Sequence, residues 1–171
     1  MLDKKILEEL QEYLELNLAV MMEKEIILYS PQESMDMDSV MESISPLDIE
    51  MFINNKRQPT LQDVLFGFID KNGATDAEVY KKAGLDRRLF SKIRSKPDYR
   101  PGKNTVLALA LALELNKKET DKLLSSAGYS LSDSDTSDLI IQFCIEKKIY
   151  NIHQVNYALD SFSMKPLSGV L

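Results

Sequence analysis

The chain has 171 residues, a single cysteine, a single histidine, no tryptophan and a net charge of −6. That length holds one good helical core but not two large domains, and the lone Cys144 and His153 exclude an intrachain disulfide and a conventional zinc-ligand set. The longest apolar run, residues 106–113, falls far short of the roughly 20 residues of a membrane span, and no basic-plus-apolar leader is recognisable, so a cytoplasmic protein with no membrane partner is expected.

Taken in chain order, residues 1–29 read as an acidic amphipathic helix. Ile6, Leu7, Leu10, Tyr13 and Leu14 recur at helical spacing between Glu8, Glu9, Glu12 and Glu15. The apolar stripe needs a cover, and the spacing leaves three open: the chain's own core, a second copy, or another protein. Ala19 to Tyr29 either prolongs the helix or ends as a short strand, because Ile26, Ile27, Leu28 and Tyr29 favour extended chain. Residues 30–59 read as a flexible acidic linker with Pro31, Pro46 and Pro59 and no sustained apolar period. Within it, residues 46–53 (PLDIEMFI) form either a short helix that docks on a partner or a segment lying on the chain's own surface. Met35, Met37, Met41 and Met51 suit an adaptable binding surface.

Residues 60–129 are the organised domain. Leu61, Val64, Leu65, Phe68 and Ile69 mark its first helix. Thr75 and Glu78 then form a capping box, Val79 and Ala83 share one face, and Gly84 ends the helix in the left-handed conformation. Asp86 caps a second helix that turns Leu89, Phe90 and Ile93 inward and leaves Arg87, Arg88, Ser91, Lys92, Arg94 and Lys96 outside. Further on, residues 105–115 alternate Leu and Ala with a strand-like period of two; both are strong helix formers, so a buried helix is predicted. A last helix over 118–127 is closed by Gly128.

The stretch TDAEVYKKAGLDRRLFSKIR, residues 75–94, resembles the helix-turn-helix of phage-repressor-like (XRE-type) regulators, with Thr75, Glu78, Val79, Ala83, Gly84, Leu85, Asp86, Phe90 and Ile93 in the matching places. The resemblance implies an all-α, five-helix lambda-repressor-like domain that places the helix after Asp86 in the major groove of double-stranded DNA. Arg87, Arg88, Ser91 and Lys92 inherit the base-facing positions, Arg94 and Lys96 extend the cationic face, and Arg100 and Lys103 suit flanking phosphates. It also implies a homodimer. The chain departs from the family pattern at Asp76, where glutamine is common, and at Tyr80, where a small residue lets the two helices approach closely.

Residues 130–171 read as a C-terminal helical extension: a polar break, then a helical pair over 138–148 and 152–162 that packs on the five-helix core or on itself. A repressor-like unit with such a pair is similar to a bacterial module found beside ADP-ribose-binding macrodomains. No phosphate loop, catalytic acid pair or based nucleophile is recognisable, so neither enzymatic activity nor a cofactor is expected.

Charge sharpens the functional reading. Residues 1–55 carry 3 basic and 13 acidic groups, residues 56–103 carry 12 and 6, and residues 104–171 carry 6 and 8. A cationic centre inside an acidic chain is the footprint of a DNA-binding transcription regulator. The acidic first third could fold back and mask it. The alternative is an adaptor of a bacterial stress or defence system, with a protein partner held through the N-terminal helix or residues 46–53.

Overall fold

Helical period, caps and glycine stops decide the elements, which a computed structural model describes for residues 4–28 and 44–167. Among the described residues there are nine helices and no strand: α1 (Lys4–Leu28), α2 (Pro46–Lys56), α3 (Leu61–Asn72), α4 (Asp76–Lys82), α5 (Arg87–Ser95), α6 (Lys103–Ala112), α7 (Lys117–Ser126), α8 (Thr136–Glu146) and α9 (Ile152–Ser161). None of them is long and apolar enough to cross a membrane.

The Leu/Ala run becomes α6, and every residue from Val106 to Ala112 is buried. A helix that is apolar on all sides needs cover on all sides. Here α4, α7 and α9 pack against it. Helix α3 lies on α7 and turns Leu61, Val64, Leu65, Phe68 and Ile69 inward, as their spacing predicts. The C-terminal pair packs both on itself and on the centre, since α8 meets α9 and α7 while α9 meets α6. Cys144 sits within α8 at 1% exposure. Burial pushes its thiol up to about 12, so the sulfur stays protonated at neutral pH.

Of the covers left open for the N-terminal stripe, the chain's own core takes the first half. Leu10 and Leu14 are buried, α1 packs on α8, and the Tyr13 ring meets Phe143 edge-on at 5.6 Å. Lys147 Nζ lies 2.5 Å from Glu9 Oε2, which holds the Glu9 carboxyl below its usual range. Further along, Leu16, Leu18 and Val20 stay exposed. The short strand considered for 19–29 is a continuation of the helix as far as Leu28, because Met21, Met22, Glu23, Lys24 and Glu25 are good helix formers and carry it into the β-branched pair.

Within residues 30–59 the structure contains a helix, the first of the two alternatives read for residues 46–53. Ser45 accepts a hydrogen bond from the Leu47 N–H, Pro46 presets the first turn, and Asp48 sits at the positive end of the helix dipole, so 46–56 is helical. Residues 29–43, with Tyr29, Met35, Met37 and Met41, lie outside the described residues.

Three helices open on capping boxes: Thr60 with Asp63, Thr75 with Glu78, and Asn116 with Glu119. Hydrogen bonds from Thr60 lower Asp63 and those from Thr75 lower Glu78, while Lys71 and then the Asn116 amide lower Glu119. A carboxyl whose folded pKa is depressed contributes stability that is present above its unfolded pKa and lost as pH falls through the folded one. Thermal melts followed by circular dichroism are therefore expected to hold a constant midpoint from neutral pH down to the ordinary carboxylate range and to fall below it. A Glu78→Gln variant is expected to show a shallower fall, and an unchanged slope would remove Glu78 from this account.

Candidate nucleic-acid interface

The α4–turn–α5 unit is fixed at each corner by local chemistry. Thr75 Oγ1 accepts from the Glu78 N–H at 3.3 Å, and Glu78 Oε2 accepts from the Thr75 N–H at 2.8 Å. Gly84 turns the chain at φ 64°, a conformation that penalises any Cβ. Asp86 Oδ1 then accepts from the Arg88 N–H at 2.5 Å and starts α5. Behind α5, Val79, Ala83, Phe90 and Ile93 are buried.

Both departures from the family pattern acquire partners. The Tyr80 ring lies 5.9 Å from that of Phe90, and Phe66 meets the same ring edge-on at 6.2 Å, so three aromatics fill the space between α3, α4 and α5. Asp76 Oδ1 receives Arg94 Nη2 at 2.5 Å, and the Arg94 guanidinium lies 4.0 Å over the Phe66 ring. The two ends of the unit are thereby tied together. Gln62 adds a brace from α3, its Nε2 donating to the carbonyls of Ile93 and Arg94 at the C-terminal end of α5.

The outward side of α5 is different in kind. Arg87, Arg88, Ser91, Lys92, Ser95 and Lys96 line one open, shallow depression of about 500 Å³, and no acidic side chain lines it. All six are exposed. They fall at i, i+1, i+4, i+5, i+8 and i+9, a stripe along one helix face. Among the described residues, Arg87, Arg88 and Lys96 make no ion pair. Lys92 Nζ stands 4.1 Å over the Tyr99 ring, which supports the cation without neutralising it.

Five of the eight residues proposed from sequence, Arg87, Arg88, Ser91, Lys92 and Lys96, thus share the surface, and three are bound elsewhere. Arg94 is turned to Asp76 and Phe66. Arg100 donates from Nε to the Ala127 carbonyl at 2.5 Å and from Nη2 to the Gly128 carbonyl at 3.1 Å, with its guanidinium 4.3 Å over Tyr129. It latches the 97–102 loop to the end of α7, and a Cβ on Gly128 would meet Nη2 at 3.0 Å. Lys103 Nζ lies 2.5 Å from Oδ2 of the buried Asp138. Sequence reading overlooked Ser95, one turn beyond Ser91, although the spacing was available. It also overlooked Tyr99 and Gln62, whose roles arise from contacts that no local pattern announces.

Comparison with protein-family models, curated protein sequences and solved structures gives no match to this chain.

Proposed function

We propose that this chain is a DNA-binding transcription regulator that lays α5 in the major groove, with Arg87, Arg88 and Ser91 toward base edges and Lys92 and Lys96 toward phosphates. One observation carries the reading: four cationic side chains and two hydroxyls share one uncovered face of α5 and its C-cap residue Lys96, with no acid among them. Arginine forks suit guanine edges, and lysines act as point charges on phosphate. The resemblance of residues 75–94 to phage-repressor-like regulators supports the same placement, as do five consecutive helices, α3 to α7, in the repressor-like order. Masking by the acidic first third finds less support, because the first half of α1 is packed on α8 and Glu9 is already paired with Lys147.

Duplex binding by the full chain at two salt concentrations tests the proposal. Neutralising two phosphates through Lys92 and Lys96 gives a slope of log K against log salt of about −2, so affinity is expected to fall about tenfold between 50 and 200 mM salt. Binding that is absent, or insensitive to salt, would sink it. The exposed apolar side chains of α2 favour a second reading, an adaptor whose basic face meets an acidic protein surface. That reading gains if an acidic protein binds this face while no duplex does.

A further inference from the structure

Helix α2 has eleven residues and buries none of them. Leu47, Ile49, Met51, Phe52 and Ile53 all stand exposed, Phe52 at 64%. None of its side chains takes part in a hydrogen bond or ion pair among the described residues, apart from the capping of its first turn. An isolated helix shorter than about 12–15 residues is marginal in water. The Ser45 cap and Pro46 settle its first turn but are too little to hold it alone. A helix of this composition calls for an apolar cover.

The charges on α2 point to what that cover is. Asp48, Phe52 and Lys56 follow one another at intervals of four residues and form a single stripe, flanked by Ile49 and Ile53. The acid lies at the N-terminal end of the stripe, the base at the C-terminal end and the aromatic ring midway. A parallel neighbour of the same sequence would set Asp48 against Asp48 and Lys56 against Lys56. An antiparallel copy, with the two-fold axis at Phe52, sets each Asp48 against the opposite Lys56, closes both Phe52 rings over the axis and aligns the helix dipoles favourably. The other exposed pair, Leu47 and Met51, lies round the helix between Glu50, Asn54 and Asn55 and has no such symmetry.

We propose that α2 is a self-association element, and that its occupant is α2 of a second copy of this chain, packed antiparallel through Phe52, Ile49 and Ile53. This goes beyond the DNA-binding reading and does not depend on it. Two short helices bury less than the roughly 1,000 Å² of a stable interface, so a weak pairing is expected.

Sedimentation equilibrium of the full chain without DNA, over about 5–500 μM, tests it. The expected result is a monomer–dimer equilibrium that Phe52→Glu weakens at least tenfold, with an unchanged circular dichroism melt because Phe52 serves no core. Asp48→Lys alone and Lys56→Asp alone are each expected to weaken dimerisation several-fold. The two together restore it by exchanging the charges across the axis. A wild-type chain that stays monomeric to the top of the range overturns the proposal, and so does a dimer indifferent to Phe52→Glu. A double charge exchange that fails to restore what the single changes remove overturns the antiparallel pairing.

Discussion

Replacing Lys103 by methionine is expected to lower the stability of the full chain by about 2–3 kcal/mol in guanidinium unfolding. The lysine stands in the first turn of α6, whose N-cap is Gly102 and offers no side-chain cap, so its charge faces the positive end of the helix dipole. What justifies it there is Asp138. That carboxylate is 6% exposed on α8, takes Lys103 Nζ at 2.5 Å and also accepts from the Ser132 N–H at 2.8 Å. Removing the cation leaves a buried charge with one remaining donor. Breaking a fully buried pair costs about 3–5 kcal/mol, and the figure here is smaller because Lys103 is 30% exposed and partly hydrated. The double variant Lys103→Met/Asp138→Leu is expected to recover much of the loss, since it leaves no unpaired charge. A Lys103→Met chain of unchanged midpoint that binds duplex more weakly would return Lys103 to the phosphate-contacting role suggested by its position in the sequence.

What was legible along the chain was what is decided within about four residues. The Thr75–Glu78 and Asp86 caps, the left-handed Gly84, the inward face of Val79, Ala83, Phe90 and Ile93 and the helical character of residues 105–112 all follow from local rules and stand in the structure, whereas Leu89, expected inward with Phe90 and Ile93, is only half-buried. The fate of a surface cation does not follow from such rules. Arg94 finds Asp76 across 18 residues, Arg100 finds the Ala127 carbonyl across 27, and Lys103 finds Asp138 across 35. In a one-dimensional reading each is merely one more positive charge beside a basic helix. Helix α2 was legible only as one of two alternatives for residues 46–53, because its apolar residues occur on more than one side of the axis and none of them is buried in the core.

This division of the cations leads to the second large expected effect. Arg87→Ala and Arg88→Ala are each expected to weaken duplex binding about 5- to 150-fold, equivalent to the roughly 1–3 kcal/mol of a bidentate arginine–guanine contact, and to leave the unfolding midpoint where it is. Neither side chain has an ion-pair partner among the described residues, and both line the open face of α5, so the folded chain has nothing to lose with them. Lys96→Ala, which removes a point charge from the far end of the same stripe, is expected to weaken binding to all sequences alike and to reduce the salt slope by about one. Arg100→Ala supplies the contrast. It gives up two hydrogen bonds to the Ala127 and Gly128 carbonyls just past α7 and the stack on Tyr129, so the midpoint is expected to fall while the salt slope stays unchanged. If Arg87→Ala and Arg88→Ala bind duplex as well as the unaltered chain does, while Arg100→Ala changes the salt slope, the binding face lies on the 97–102 loop. The stripe along α5 is then only a solvated surface.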